Sequence, residues 1–347
     1  MAKYEELALV LEDRIARGDY ALKGFPAERP LAEELGVARV TLRKALDDLE
    51  TRNVLIRRLN GRLVINVHRG RSGVRAAFLA PAFASPFIRQ IRLAIERQSH
   101  IVGLPVRSID FAHYDDPVIG ETLSHFDQVF VAGISTDAPD RIRKHITRAG
   151  CKAVSIEQNL ADWGVPSLVL FPPDASRVLF EHLVERGHRR IDCLNTLPAV
   201  PGIMARIEYW RQWIDDHGVE GTLYNEPVPY YKSPMRWAHE RANALAKQGH
   251  LRRGAVFVTG ETSCIGAMRA FLEAGVRVGR DLATCSLGGD GFYEFLNPTM
   301  TVVEMPQPEP YLKKYFQWMA SGAKSWRGAI LTKPRRPSLY VGESTGG

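Results

Sequence analysis

From residue 75 onward, short apolar runs of strand length alternate with longer segments of helical periodicity. That alternation restricts this part of the chain to largely parallel sheets covered by helices. In the first series, runs at 76–80, 128–131 and 153–156 are separated by helical segments at 86–100 and 137–148. A second series places runs at 168–171, 191–194, 255–259 and 283–287, with helical segments at 174–185, 204–217 and 261–273. Two series predict two α/β lobes with a cleft between them. Ligands of such sheets sit beyond the carboxyl ends of the strands, so the residues that follow each run are the ones to watch.

The first 67 residues follow another pattern. Tyr4, Leu7, Ala8, Leu11 and Ile15 make the apolar stripe of a helix that stops at Gly18. Residues 25–29 lead into a short helix over 30–35, which Gly36 ends. A third helix carries Leu42, Ala45, Leu46 and Leu49 on one face and Arg39 and Arg43, at i and i+4, on another. Apolar runs at 54–57 and 63–67 flank Asn60-Gly61, a hairpin signal. Three helices and a two-stranded wing are the α+β winged helix-turn-helix, whose third helix enters the DNA major groove while the wing touches backbone. Guanidinium groups on such a helix reach phosphates and guanine edges.

Charge agrees with a polyanionic partner. The 347 residues carry 46 Lys and Arg against 39 Asp and Glu, a formal +7. Between Thr51 and Ile95 there is no acid, while nine arginines, from Arg52 to Arg92, fall in that window. A one-sided run of this kind predicts a positive surface and salt-dependent binding. The helices themselves hold Glu33, Glu34, Asp47, Asp48 and Glu50, which confines contact to the Arg39/Arg43 face and the wing. Residues 68–74, His68-Arg69-Gly70-Arg71-Ser72-Gly73-Val74, read as a basic, glycine-containing linker.

The start, Met1-Ala2-Lys3-Tyr4-Glu5-Glu6, lacks the apolar core of a signal peptide, and no run approaches the ~18 apolar residues of a membrane span. A soluble, cytoplasmic protein is expected. Cys151, Cys193, Cys264 and Cys285 lie far apart with no metal-ligand spacing, so they are expected as thiols in apolar surroundings. Neither a metal nor a cofactor is expected.

The amino-terminal residues resemble the GntR family of bacterial transcription factors. The family's Leu-Pro-Ser-Glu-Arg, Glu-Leu-Ala, Val-Ser-Arg-x-Thr-Val-Arg and Gly-rich wing stand here as Phe25 to Arg29, Pro30-Leu31-Ala32, Val37 to Arg43 and Asn60-Gly61-Arg62. The resemblance implies DNA contacts at Arg29, Arg39, Thr41, Arg43 and Gly61, with Arg62 beside them in the wing. Ala38 and Val40 replace the family's usual hydroxyl residues, which shifts affinity toward the arginines.

Residues 75–345 resemble the LacI/GalR effector domain, a relative of periplasmic sugar-binding proteins. The matching segments are Ser85-Pro86-Phe87, Glu181-His182-Leu183 through Gly187 to Ile191, Arg206, Glu261 to Gly266, Pro298 to Val302 and Glu343-Ser344-Thr345. The resemblance implies that Arg206 and Glu261 contact a sugar-like effector between the lobes. A plainer reading pairs Arg206 with Glu208 or an acid on a neighbouring element and makes Glu261 a helix cap. Phe171 stands where relatives carry a hydroxyl-binding Asp, and Leu287-Gly288-Gly289-Asp290 replaces Gly-Phe-Asp-Asp. Asp290 is then a substitute acid, and Phe83, Phe87, Phe171, Trp210 and Trp237 are candidate faces for a sugar ring, with Ser85 beside them.

These readings combine into a DNA-binding transcriptional regulator, a repressor released by a small-molecule effector. The expected organisation is a DNA-binding domain at 1–67, a linker at 68–74 and an effector-binding and dimerisation domain at 75–345. The expected partners are operator DNA, a sugar-like molecule and a second copy of the chain, since symmetric half-sites call for a homodimer. Two alternatives come from other classes. One is a sugar-binding module without DNA function. The other is an enzyme acting on a nucleotide or sugar phosphate, suggested by Gly288-Gly289-Asp290-Gly291, although no second phosphate-cradling motif accompanies it.

Overall fold

A computed structural model describes the chain except residues 1, 21–23, 59–60, 67–74, 83–84, 114, 134–139, 149–151, 230–231, 289–290, 323–324 and 347. The expected linker, Asn60, Phe83, Asp290, Cys151, Arg69 and Arg71 therefore lie outside the described residues.

The amino-terminal unit folds as its pattern predicts. Helices α1 (Lys3–Ala16), α2 (Glu28–Glu34) and α3 (Arg39–Thr51) precede an antiparallel pair, β1 (Leu55–Arg57) and β2 (Leu63–Ile65), in which Ile56 faces Val64. Leu11, Leu31, Leu42, Leu46, Leu49 and Leu55 are buried together and hold the three helices and the wing on one core. The wing turn is tied by the Gly61 amide donating to the Arg58 carbonyl (2.8 Å) and the Arg58 amide to the Arg62 carbonyl (2.9 Å). Gly61 has φ +78°, a conformation that side chains beyond Gly rarely take. Helix α3 begins without a side-chain cap, because Ala38 occupies the cap position.

The rest forms two lobes, each a six-stranded sheet. The first lobe is built from β3 (Ala76–Pro81), α4 (Pro86–Val102), β4 (Val106–Phe111), α5 (Pro117–His125), β5 (Gln128–Ala132), α6 (Asp140–Arg148), β6 (Lys152–Ile156) and β7 (Ser167–Leu168). The second holds α7 (Arg177–Glu185), β8 (Ile191–Asn195), α8 (Pro201–Asp216), β9 (Leu223–Asn225), α9 (Pro234–Lys247), β10 (Gly254–Val258), α10 (Glu261–Glu273), β11 (Leu282–Leu287) and β12 (Thr301–Glu304). The chain then returns: α11 (Glu309–Ala320) and β13 (Leu331–Thr332) join the first lobe, and β14 (Ser338–Tyr340) joins the second.

The strand orders are β13-β7-β6-β5-β3-β4 and β14-β12-β11-β10-β8-β9, all parallel except β14. Each sheet has an apolar cluster on both faces, as parallel sheets require. In both lobes the order reverses beside the first strand, between β3 and β5 and between β8 and β10. Such a reversal opens a crevice at the carboxyl edge. The chain passes between the lobes three times, after β7, after β12 and after β13.

One expectation needs correction. The run at 168–171 does not open the second lobe. Leu168 ends β7 beside β6 in the first lobe, and Val169 to Phe171 begin the crossover. A buried apolar run looks the same in a strand and in a packed connection. Within the arginine-rich window Arg52 pairs with Glu12 and Asp48, Arg57 with Glu50 and Asp47, Arg75 with Asp127, and Arg92 with Asp110, so acids from outside the window neutralise these four of its nine arginines.

Candidate nucleic-acid face and ligand cleft

Burial of Leu42, Ala45, Leu46 and Leu49 turns the other side of α3 outward. Arg39 and Arg43 are exposed there, and Val40 between them keeps 70% of its surface in solvent. An isolated exposed aliphatic on a recognition helix suits contact with a thymine methyl. The Arg43 guanidinium is held by Glu28 of α2, with Nη2 at 2.9 Å and Nε at 3.3 Å from one carboxylate oxygen. Arg29 pairs with Glu33 one turn along α2 (3.1 Å). Thr41, on another side of α3, is partly exposed, and Gly61 and Arg62 lie at the exposed wing turn. The Arg107 guanidinium on β4 of the first lobe pairs with Asp19, just beyond α1, and so joins this unit to the lobe behind it.

The second site lies between the lobes. The carboxyl ends of the strands of both sheets converge there on a cavity of about 190 Å³, bounded by Pro81, Gly133 and Glu157 from one lobe and Leu197, Gly260 and Gly288 from the other. Ser85, Phe87, Phe171, Arg206 and Glu261 all line it, so these five expected residues are brought together. Ser85 also caps α4, its Oγ accepting from the Ile88 amide (3.3 Å). Glu261 is the first residue of α10 and is buried, at the positive end of that helix's dipole. Trp210 and Trp237 are elsewhere. Trp210 is a core residue whose indole donates to the Ile191 carbonyl (3.1 Å), and the Trp237 indole donates to the Glu226 carbonyl (2.8 Å) between Lys232 and Arg241.

Sequence reasoning missed Glu157. It directly follows β6, in the position where ligand-facing residues are expected, but a lone acid in Ile-Glu-Gln-Asn carries no motif. Its backbone is left-handed, φ +61°, a strain of about 1 kcal/mol for a residue with a side chain. The carboxylate accepts from the Leu170 amide (2.8 Å), the Phe171 amide (3.0 Å) and Arg206 Nη2 (3.1 Å). Glu208, the acid nearest in sequence, pairs instead with Arg211.

Glu157 belongs to the first lobe and Arg206, on α8, to the second, so this pair spans the cleft. Both side chains are nearly buried, 17% and 11% exposed. Burial raises the Glu157 carboxyl above its ordinary value, and the Arg206 charge and the two amides oppose that rise. The guanidinium stays charged although burial lowers its affinity for the proton. Arg206 Nη1 lies 3.5 Å from the Thr259 carbonyl, and the guanidinium sits 5.8 Å above the Phe171 ring. Phe171 in turn meets Phe87 at 6.0 Å between ring centres, which makes an aromatic corner across the two lobes.

An exposed two-arginine recognition helix, in one chain with a closed two-lobed cleft, defines the class: a winged-helix DNA-binding unit joined to a ligand-binding module. Residues 3–65 match the bacterial regulatory proteins of the gntR family, and residues 180–344 match the periplasmic binding protein-like domain. The chain therefore carries a gntR-type helix-turn-helix domain with a periplasmic-binding-protein-like domain behind it.

It is 26% identical over 232 residues to the HTH-type transcriptional repressor MelR of Bacillus subtilis, an alignment that covers 63% of each chain and so spans somewhat under two thirds of that relative. Among solved structures it is similar to a LacI-family transcriptional regulator from Silicibacter pomeroyi, with TM-score 0.69, 14% identity, and 92% of this chain and 99% of that one covered. A LacI-family regulator from Arthrobacter in complex with lactose matches with TM-score 0.63 and 16% identity, over 78% of this chain and 98% of that one. At these identities the structural likenesses establish the fold. No helix among the described residues is long and apolar enough to cross a membrane.

Proposed function

We propose that this protein is a transcriptional repressor that binds operator DNA through its winged helix and releases it when a small molecule occupies the interlobe cleft. The carrying observation is the Arg39–Val40–Arg43 surface of α3, which faces outward, away from the helix's buried leucines. In this reading Arg29, Arg39, Thr41, Arg43, Gly61 and Arg62 contact DNA, and Ser85, Phe87, Phe171, Arg206 and Glu261 contact the effector. Phe83 and Asp290 remain candidates from sequence alone. The division of labour is 1–67 for DNA, 68–74 as linker and 75–345 for ligand and dimer formation. The gntR-type match, a relative named as a repressor and the lactose complex of a fold relative support this assignment.

Two copies present two recognition helices about 34 Å apart, one turn of DNA, to a symmetric operator in the cytoplasm. Ligand acts by changing the relative energies of lobe arrangements, and each ~1.4 kcal/mol of that coupling changes operator affinity about tenfold. Selection of duplexes from fragmented genomic DNA, followed by anisotropy titration at physiological salt, tests the assignment. Wild-type protein should prefer its selected duplex over a scrambled one, and Arg39→Ala and Arg43→Ala should abolish the preference. Equal affinity for both duplexes contradicts it.

A further inference from the structure

A second cavity, of about 110 Å³, lies where the three crossovers pass between the lobes. Leu170 and Pro172 belong to the segment after β7, Glu304 and Pro306 to the one at the end of β12, and residues 334–338 to the one that leads from β13 into β14. This cavity shares no lining residue with the interlobe cleft. A water needs roughly 10–15 Å³ of such space, so a compact molecule of several heavy atoms fits. Each crossover places at least one proline in the wall, Pro172, Pro306, Pro334 and Pro337, whose fixed φ keeps the wall in shape.

The floor is apolar and the rim cationic. Leu170, Pro172, Ala175 and Val303 are buried, whereas Arg177, Arg335 and Arg336 are exposed at the edge. The acids of this wall are committed elsewhere: Asp174 pairs with Lys333 (3.2 Å), and Glu304 accepts from the Ser338 hydroxyl (2.5 Å) and the Tyr293 hydroxyl (3.0 Å). Arg177 has Glu181 at 3.8 Å, one turn along α7. Arg335 and Arg336 pair with no carboxylate among the described residues.

The geometry points to a second ligand site in the hinge, one that takes a small organic acid and biases the arrangement of the lobes. The acid group lies at Arg335 and Arg336, whose planar forks match a carboxylate or phosphate. The apolar body rests on Leu170, Pro172, Ala175 and Val303, out of water. Rotation of one lobe against the other shifts the three segments past one another, because connections of this kind absorb hinge motion. A molecule wedged among them binds one arrangement better than the others and so shifts their populations. The hinge site is thus a second input to the same lobes, separate from the cleft.

Ligand-observed NMR and thermal shift on the full chain at physiological salt test this with benzoate, cyclohexanecarboxylate and phenyl phosphate. Each is run beside a neutral counterpart, benzamide, cyclohexanecarboxamide or phenol. At least one acid should bind saturably and at least about tenfold more tightly than its counterpart, as a charge-assisted contact to arginine implies. Arg335→Gln/Arg336→Gln, a change confined to exposed side chains, should remove that binding, and Arg39→Ala/Arg43→Ala, on the DNA face, should keep it. With the acid bound, amide hydrogen exchange should slow in all three segments, 169–175, 303–307 and 335–338. Failure of all three acids to bind saturably overturns the proposal, as does binding that survives Arg335→Gln/Arg336→Gln or is matched by the neutral counterpart. Protection confined to 335–338 marks an exposed basic loop only and overturns it as well. The operator assignment is decided separately, by the duplex titration.

Discussion

Replacing Arg206 with alanine isolates the contact that joins the lobes. The change leaves Glu157, only 17% exposed in the intact pair, bonded to two amides but without its counter-charge. Removing one member of a buried ion pair costs about 3–5 kcal/mol. For a unit of this size each kcal/mol lowers the melting temperature by about 2–4 °C, so a fall of roughly 6–20 °C is expected near pH 7.5.

The penalty depends on pH with a definite sign. Burial already raises the Glu157 carboxyl above its ordinary 4.5, and Arg206 is the first force opposing that rise. Without the arginine the folded value climbs further. A carboxyl that binds its proton more tightly when folded contributes most at low pH, and that contribution is lost as pH rises from the unfolded value through the folded one. The variant's deficit should therefore be small near pH 4.5 and grow toward neutrality, more steeply than any wild-type trend. Thermal unfolding of wild type, Arg206→Ala, Glu157→Gln and the double variant at pH 4.5, 6 and 7.5 measures this. A deficit that is the same at every pH, or undiminished in the Glu157→Gln background, would refute a latch built on charge.

Other expectations concern separate parts of the molecule. Glu28→Gln frees Arg43 from its intramolecular partner, so DNA affinity at low salt should rise and the salt dependence should steepen by about one charge; an unchanged titration would mean that Arg43 does not face phosphate or base. Ala38→Ser supplies the missing cap of α3 and should stabilise the winged helix by about 0.5–2 kcal/mol, read by the unfolding of its helical signal; no gain would show that the cap position is already satisfied by other means. Gly266→Ala places a methyl carbon 2.1 Å from the Met235 carbonyl where α10 crosses α9, and should cost about 1–3 kcal/mol or more, whereas a neutral outcome would place the helices farther apart. Cys193, Cys264 and Cys285 are buried thiols whose ionisation burial pushes up, and they should resist a thiol reagent at pH 8 until the chain unfolds; stoichiometric labelling of native protein would contradict their packing.

Elements fixed by their own periodicity were legible in the sequence. Leu42, Ala45, Leu46 and Leu49 specify which face of α3 is buried, and that alone turns Arg39 and Arg43 outward. The strands at β3, β5, β6, β8, β10 and β11 are apolar runs because both faces of their sheets are covered. Strand β4 escaped because it is an edge strand, Val-Arg-Ser-Ile-Asp-Phe, with polar residues partly in solvent. The returns of α11 to the first lobe and β14 to the second depend on which apolar face finds which partner. Tyr315, for example, reaches the Ser167 carbonyl and the Thr332 hydroxyl from a helix that follows the second lobe in sequence.

The candidate cleft was legible in part. Its Arg206 and Glu261 stand out through a motif, but the acid that engages Arg206 lies 49 positions away and becomes visible only when the lobes meet. The same distance effect hid the partner of Arg52 in the arginine-rich window, Glu12, forty positions earlier.

The most direct test is to titrate the wild-type chain, and the Arg39→Ala/Arg43→Ala pair of substitutions, onto one selected genomic duplex and its scrambled counterpart at physiological salt, with and without a small molecule that calorimetry shows to bind in the cleft. The expected result is tight, sequence-dependent binding by wild type, loss of sequence preference in the double variant, and at least about tenfold weaker operator binding when that small molecule is present. Identical binding of wild type to both duplexes, or operator affinity unmoved by a ligand that demonstrably fills the cleft, would contradict a DNA reader governed by the lobes behind it.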